Sequence, residues 1–249
     1  MAHSERARPS LFWLLAVIVV PLVSFLAKIE IVGRDKLPKK GAFVLAPNHL
    51  SELDPVIVAR AVWGLGRLPR FMAKESLFRI PVVGRILRAT GMIPVARAAS
   101  AKASKQAMAQ ATELVEHERG VIVYPEGTLT RDPDLWPMRG KSGAVRLALA
   151  GEIPLIPLAH WGVQEIMPRY GKGIRLWPPR KKVRIIIGDP LDLSDLQGKA
   201  SEPAALTEAT NRVMNAITAL LAELRDEKAP EKRWNPAEHG QKETGRLDP

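Results

Sequence analysis

Residues 41–55 read Gly41-Ala-Phe-Val-Leu-Ala-Pro-Asn-His-Leu-Ser-Glu-Leu-Asp-Pro55. The first seven of them form an apolar run bounded by glycine and proline, which is typical of a buried strand. Asp54 is placed as a helix N-cap, and the proline that follows fits the first turn of a helix. The stretch therefore predicts a strand, a short polar loop that carries His49, and a helix, which together form a unit of an α/β fold.

Strand-like and helix-like segments alternate outside this stretch as well. Short apolar runs predict strands at residues 29–33, 70–73, 121–124, 155–159 and 183–187. Helix-forming or amphipathic runs predict helices at residues 54–63, 80–87, 100–119, 142–150 and 204–226. No repeat or change of composition interrupts residues 29–226, so we expect one α/β domain, a layered sheet flanked by helices. Residues 227–249 are charged and rich in proline and glycine, and we expect them to be disordered.

The N-terminal part, residues 1–28, has the composition of a membrane anchor. Residues 11–27 form an uncharged run of 17, at the lower limit for crossing a bilayer, and Pro21 interrupts it. A monotopic or re-entrant anchor fits this run best; a full span, a signal peptide and a buried core helix are the alternatives. Basic residues between positions 28 and 40 favour a domain on the cytoplasmic face of the cell membrane.

The composition narrows the classes of partner and cofactor. The 249 residues carry a formal charge of +11, which predicts an anionic partner such as an anionic membrane surface or a phosphorylated substrate. Aromatic residues make up only 5% of the chain, which argues against a nucleic-acid partner whose bases need stacking surfaces. The chain has no cysteine, so disulfides, thiolate catalysis and cysteine-ligated zinc are excluded, and the histidines show no metal-ligand spacing.

The candidate chemistry centres on His49 and Asp54. The predicted strand delivers His49 to its carboxyl end, where ligand sites of α/β sheets are found. The short loop allows the Asp54 carboxylate to fold back onto the imidazole and fix its tautomer. The other ring nitrogen is then free to accept a proton from a substrate hydroxyl. The structural alternative is that His49 only forms a hydrogen bond within the loop while Asp54 caps the helix.

Three further segments follow this pair along the chain. They are Gly91-Met-Ile-Pro-Val-Ala-Arg97, Tyr124-Pro-Glu-Gly-Thr-Leu-Thr-Arg131 and Ile153-Pro-Leu-Ile-Pro-Leu-Ala159. With the His-x4-Asp stretch, they resemble the four sequence blocks of the glycerolipid acyltransferases, over roughly residues 29–190. The resemblance implies acyl transfer from acyl-CoA or acyl carrier protein to the free hydroxyl of 1-acylglycerol 3-phosphate, with no metal and no cofactor.

The resemblance assigns roles one residue at a time. His49 matches the family's general base, and Asp54 matches the carboxylate that orients it. Arg97 matches the basic residue of the second block, which implies a contact with the phosphate of the acceptor. Lys74 is a weaker candidate for the same contact, and a solvated surface lysine is its alternative. A catalytically silent lipid-binding protein is the competing class of function, and the intact histidine and aspartate argue against it.

The third block departs from the family pattern at one position. Glu126, Gly127 and Thr128 match residues assigned to glycerol and phosphate binding, and a glycine turn there exposes N–H groups to an anion. The family usually reads Glu-Gly-Thr-Arg-Ser-Arg, whereas this chain has Leu129 where the first arginine is expected and keeps Arg131. A lysophospholipid or a glycolipid is therefore an alternative acceptor.

Other motifs give a weaker signal or none. Gly140-Lys141-Ser142 resembles the end of a P-loop, but Leu135 stands where the first glycine of that motif belongs. Arg139 and Lys141 nevertheless suit anionic headgroups or the phosphates of a donor. His160 lies at the end of a predicted strand, and we expect it to be structural and not catalytic.

Overall fold

The computed structural model describes residues 10–95, 101–171, 173–242 and 245. Its helices are α1 (Leu11–Leu26), α2 (Asp54–Gly64), α3 (Pro81–Ala89), α4 (Ala101–Glu116), α5 (Gly143–Gly151), α6 (Val163–Ile166) and α7 (Pro203–Arg225). Its strands are β1 (Ala27–Val32), β2 (Phe43–Pro47), β3 (Met72–Lys74), β4 (Ile93–Val95), β5 (Gly120–Ile122), β6 (Leu155–Trp161) and β7 (Lys181–Ile187). The predicted alternation of strands and helices is present, with several boundaries shifted by a few residues.

Five strands form a mixed sheet in the order β1-β7-β6-β2-β5. β2 pairs in parallel with β5 and with β6, and Leu45 lies opposite both Ile122 and Ile156. β7 runs antiparallel to β6 and parallel to β1, while β3 and β4 form a separate two-stranded parallel sheet. The carboxyl ends of β2, β5 and β6 therefore meet at one edge of the larger sheet.

Both faces of the sheet are covered by helices. Phe43 and Leu45 of β2 belong to a hydrophobic cluster with α1 and α2, whereas Val44 and Ala46 belong to a cluster with α4, α5 and α7. Every residue of β2 is buried, as expected for a strand that is covered on both faces. The prediction of a layered α/β sheet flanked by helices is confirmed.

The start of α2 differs from the sequence prediction. Leu53 occupies the N-cap position, and no side chain caps this helix. Asp54 is the first helical residue, and its carboxylate turns back to accept the backbone N–H groups of Leu50 and Ser51 at 2.5 and 2.8 Å. The prediction of Asp54 as N-cap is wrong because its carboxylate stabilises the preceding loop instead of the first turn.

The helix α1 has 16 residues and packs on one side only. Phe12 and Val23 are buried against the domain. The other side leaves apolar side chains in solvent, with Leu14 64%, Val17 69% and Ile18 65% exposed. None of the helices in the described part of the chain combines the length and hydropathy that a bilayer crossing requires. The predicted anchor is thus a short helix with an exposed apolar side.

The segment 227–242 follows a defined path where the sequence predicts disorder. The Trp234 carbonyl accepts the backbone N–H of Arg139 at 2.9 Å, and the indole stacks on His239 with ring centroids 3.5 Å apart. A short 3-10 helix runs from Pro236 to His239. The prediction does not hold for residues 227–242 because it rests on mean composition, which does not register specific contacts. Besides Trp234, the Arg233 guanidinium donates to the Asn215 side chain on α7, and Lys232 pairs with Glu238.

Candidate active site

The candidate site lies where the carboxyl ends of three parallel strands meet. β2 leads into Asn48 and His49, β5 leads into Tyr124 and Glu126, and β6 carries His160 near its end. Because β2 lies between the other two strands, the residues that follow all three come together. This is the position at which α/β sheets present their ligand sites.

His49 and Asp54 form a hydrogen-bonded pair. The His49 Nδ1 atom lies 2.9 Å from Asp54 Oδ2, and the aspartate side chain is fully buried. The same oxygen accepts the backbone N–H groups of Leu50 and Ser51, and accepting three N–H groups suits an ionised carboxylate. A carboxylate at Nδ1 requires the proton on that nitrogen, which leaves the lone pair on Nε2. The imidazole is 16% exposed, so a substrate can reach it.

The Glu126 side chain binds the backbone N–H of His49. Its side chain is fully buried, Oε1 accepts the His49 N–H at 3.0 Å, and Oε2 accepts the Met138 N–H at 3.1 Å. Burial raises the pKa of Glu126 to about 8. The sequence predicts Glu126 as a substrate contact. The structure gives both of its oxygens a positioning role beside the histidine.

Tyr124 supports the imidazole from one side. Its ring stacks on His49 with centroids 4.2 Å apart, and the Phe71 ring lies parallel to it at 6.4 Å. The phenol oxygen is buried and has no hydrogen-bond partner among the described residues. Burial raises the pKa of Tyr124 well above its ordinary value, so the group stays neutral. Sequence reasoning missed this residue, although its place directly before the Pro-Glu-Gly turn was a signal.

His160 lies beside Asp54 and holds the backbone of Asn48, the residue that precedes His49. Its ring Nε2–H donates to the Asn48 carbonyl at 2.9 Å, and its backbone N–H donates to Asn48 Oδ1 at 2.9 Å. The Asn48 side chain donates in return to the His160 carbonyl at 3.1 Å. The same Nε2 lies 3.7 Å from Asp54 Oδ2. Burial lowers the pKa of His160, so the ring stays neutral, which agrees with the predicted structural role.

The glycine turn of the third block is tight and internally bonded. Gly127 has φ +69°, and a Cβ there would lie 3.1 Å from Lys141 Cδ. Its N–H donates to the Tyr124 carbonyl at 3.0 Å, so this group is engaged within the protein, contrary to the expectation that it faces an anion. Leu129 is buried and packs within the domain. The Gly127 turn therefore fixes the path of the backbone, and its N–H is already used within the protein.

Arg131 and Thr128 lie together on the far side of the turn. Arg131 Nη2 donates to the Gly245 carbonyl at 3.0 Å, and Thr128 Oγ1 donates to the same oxygen at 3.4 Å. The Nε and Nη1 atoms of Arg131 are buried without a partner in the described part of the chain. Arg169, which the sequence did not single out, donates to the carbonyls of Thr130 and Asp132 nearby, at 2.5 and 2.7 Å. The guanidinium groups of Arg131 and Arg169 therefore both lie beside residues 128–132.

Two predicted phosphate contacts have side chains that lie outside the described part of the chain. Arg97 lies outside the described residues. Lys74 ends β3, and its side chain is outside the described part as well. Both remain predictions from the sequence.

An apolar groove and a basic cavity lie on either side of the site. The groove, of about 230 Å³, runs between α1 and α2, and Phe12, Val56 and Phe71 are among its lining residues. The cavity, of about 470 Å³, is bounded by Glu126, by residues 138–142 and by the first turns of α7. Phe71 lines the groove and stacks on Tyr124, which in turn stacks on the His49 imidazole. Glu126 lines the cavity and accepts the backbone N–H of His49.

Comparisons with known proteins agree on one family. A family model described as Acyltransferase matches residues 28–161. A 1-acyl-sn-glycerol-3-phosphate acyltransferase of Bacillus subtilis is 29% identical over 208 residues, which cover 82% of this chain and 94% of that protein. A chloroplastic enzyme of the same name from Brassica napus is 31% identical over 165 residues, covering 66% of this chain. The chain spans less than half of that plant protein, 45% of its length.

Among solved structures, the 1-acyl-sn-glycerophosphate acyltransferase PlsC of Thermotoga maritima matches with a TM-score of 0.57. The match covers 82% of this chain and 75% of that one, at 22% sequence identity. The likeness shows a shared fold, with the mixed sheet flanked by helices.

Proposed function

The chain belongs to the acyltransferase family, and on that premise we propose that it moves an acyl group from a thioester onto 1-acylglycerol 3-phosphate, giving phosphatidate. The Bacillus and Brassica relatives bear the name of that activity. The observation that supports the proposal most directly is the 2.9 Å separation of His49 Nδ1 and Asp54 Oδ2 at the edge of the sheet. The donor is acyl-CoA or acyl carrier protein.

In this proposal His49 is the general base. Asp54 holds the proton on Nδ1, so the Nε2 lone pair takes the hydroxyl proton as the acceptor oxygen attacks the thioester carbonyl. The tetrahedral intermediate then collapses, the carbon–sulfur bond breaks, and His49 returns the proton to the leaving thiolate. The buried Asp54 carboxylate stabilises the imidazolium between the two proton transfers.

We assign the phosphate of the acceptor to Arg131 and Thr128, together with the predicted contacts Arg97 and Lys74. Support comes from the two buried nitrogens of Arg131 that have no partner among the described residues. Arginine offers paired, charge-assisted hydrogen bonds that match phosphate oxygens. The Gly245 carbonyl accepts hydrogen bonds from both Arg131 and Thr128, so a phosphate bound there would take its place.

We also propose that α1 lies in the membrane interface and that the domain faces the cytoplasmic leaflet. The exposed apolar side chains of Leu14, Val17 and Ile18 would be buried among lipids, and the net charge of +11 favours anionic headgroups. The apolar groove between α1 and α2 opens a route for an acyl chain from that surface toward the Phe71 and Tyr124 rings.

The direct test is incorporation of a labelled acyl group from acyl-CoA into phosphatidate by the purified protein. His49→Ala should lower turnover at least about a hundred-fold, because general-base catalysis contributes that much, while circular dichroism stays unchanged. Normal turnover by a folded His49→Ala protein would overturn the proposal.

The same assay should be run with a panel of acceptors, because Leu129 stands where the family has an arginine. Because the family arginine is replaced by a buried leucine, a lysophospholipid or a glycolipid is a second candidate acceptor. Acyl transfer to those acceptors, with none to 1-acylglycerol 3-phosphate, would keep the enzyme class and correct the substrate.

A further inference from the structure

The basic cavity has no part in the chemistry described so far. It measures about 470 Å³ and lies between the segment that precedes α5 and the amino-terminal half of α7. Arg139, Lys141 and Arg146 line it, and hydroxyl and amide side chains complete its polar surface, among them Ser142, Thr207 and Asn211. Glu126 is the one acidic residue among the described lining residues. The described part of its lining therefore carries more positive than negative side chains and several hydrogen-bond donors.

Helix geometry adds to the positive potential. α5 begins at Gly143, and its N-cap residue Ser142 lines the cavity with a side chain that makes no capping hydrogen bond. α7 begins at Pro203, which also lines the cavity. The first turns of both helices carry partial positive charge, which favours anions at this position. Two helix ends and three cationic side chains thus border the same space.

Glu126 links the cavity to the backbone of His49. Glu126 forms part of its wall and accepts the His49 N–H at 3.0 Å. Lys141 donates its backbone N–H to the Pro125 carbonyl at 2.7 Å, so the basic segment is fixed to the turn beside the site. One side chain, that of Glu126, therefore contacts both the cavity and the backbone of His49.

The position of the cavity favours a ligand that arrives from water and not from a membrane. It lies on the α5 and α7 side of the sheet, whereas the apolar groove and the exposed side of α1 lie on the opposite side. A lipid acceptor would approach from the α1 side. A water-soluble substrate that carries phosphate would enter from the basic side, and the two would meet at His49.

Resting on the proposed function, we propose that the cavity lined by Arg139, Lys141 and Arg146 binds the phosphate ester of the thioester donor. This group is common to CoA and to the phosphopantetheine arm of acyl carrier protein. Its pantetheine arm places the thioester carbonyl at the imidazole while the phosphate stays among the cations. The acceptor phosphate is bound separately, near Arg131.

The test compares donors with and without phosphate. In Arg146→Gln and Arg139→Gln, the KM for acyl-CoA should rise about ten-fold, since each loses a charge-assisted contact to phosphate. Two other KM values should not change in these variants. One is the KM for an S-acyl-N-acetylcysteamine thioester, which lacks phosphate, and the other is the KM for 1-acylglycerol 3-phosphate. Lys105→Gln, which removes an exposed charge from α4 outside the cavity, is the matched control.

Acyl-CoA and acyl carrier protein are assayed side by side, and the donor whose KM rises is the source of the phosphate. Unchanged KM values for both donors, or a rise in the KM for the acceptor, would overturn the assignment. Calorimetric binding of CoA itself gives a readout that needs no turnover, and its affinity should fall about ten-fold in the same variants. A wild-type protein that makes no phosphatidate would instead contradict the proposed function.

Discussion

The backbone N–H of His49 donates to Glu126 Oε1 at 3.0 Å, although 77 positions separate the two residues in the chain. The second oxygen of the same carboxyl group accepts the N–H of Met138 at 3.1 Å. One buried side chain therefore joins the loop after β2 to the segment before α5. The position of the candidate base depends on that connection.

Glu126 makes stability depend on pH. Burial raises the pKa of this carboxyl from 4.5 to about 8, so the folded protein binds its proton more tightly than the unfolded chain does. The resulting stabilisation is complete below pH 4.5 and is lost as the pH rises through about 8, a change on the order of a few kcal/mol. Glu126→Gln has no proton to lose and should not show this decline in the free energy of unfolding.

Urea unfolding at intervals between about pH 5 and about pH 9 measures the difference. Glu223→Gln, an exposed position on α7, controls for removing a carboxylate. Parallel pH curves for the wild type and Glu126→Gln would show that burial of this carboxyl does not set the dependence.

Asp54→Asn tests the electrostatic role of the pair. Asparagine keeps an oxygen that can accept the loop N–H groups, but it removes the negative charge that stabilises the imidazolium. We expect kcat to fall at least about a hundred-fold with little change in the KM for either substrate. Steady-state kinetics with a thermal melt as control checks this, and a kcat near that of the wild type would exclude Asp54 from catalysis.

The role of the His160 hydrogen bond can be tested by comparing a variant that keeps an N–H donor with one that removes it. Glutamine can place an amide N–H where His160 Nε2 donates to the Asn48 carbonyl, whereas alanine leaves that buried carbonyl without its partner. His160→Ala should lower the free energy of unfolding by about 1–3 kcal/mol and reduce kcat, and His160→Gln should restore most of both. Equal losses in the two variants would show that the hydrogen bond does not carry the effect.

Tyr124 offers a similar pair of variants. Its hydroxyl has no partner among the described residues, so Tyr124→Phe should keep both stability and activity. Tyr124→Ala removes the ring that stacks on His49 and should lower kcat about ten-fold by loosening the imidazole. Steady-state kinetics and chemical unfolding of the two variants measure both effects. Inactivity of Tyr124→Phe would point to a chemical role for the phenol.

The exposed side of α1 can be tested with vesicles that contain anionic lipid. Val17→Asn and Ile18→Asn should each weaken binding about ten-fold, because each removes an apolar side chain that would enter the interface. Val115→Asn on α4, where the valine is 46% exposed, is the matched control. Binding that is unaffected by the α1 variants would place the membrane contact elsewhere.

The features of the site that depend on neighbouring residues could be predicted from the local sequence pattern. An apolar run between glycine and proline formed β2, and the spacing of His49 and Asp54 allowed one loop to bring the imidazole and the carboxylate together. The tight turn at Gly127 was also visible, because glycine tolerates its positive φ. These features need only a few residues of chain, so the local pattern carries the information.

The residues that complete the site from distant parts of the chain could not be predicted, because the fold brings them together. The hydrogen bonds of His160 to Asn48 span 112 positions, and they exist because β6 pairs with β2 in this particular register. The contact of Glu126 with His49 likewise follows from β5 lying on the other side of β2. The basic cavity forms because packing brings α5 and α7 side by side. Strand order and helix packing depend on the apolar surface that the whole chain buries. A short stretch of sequence therefore does not predict them.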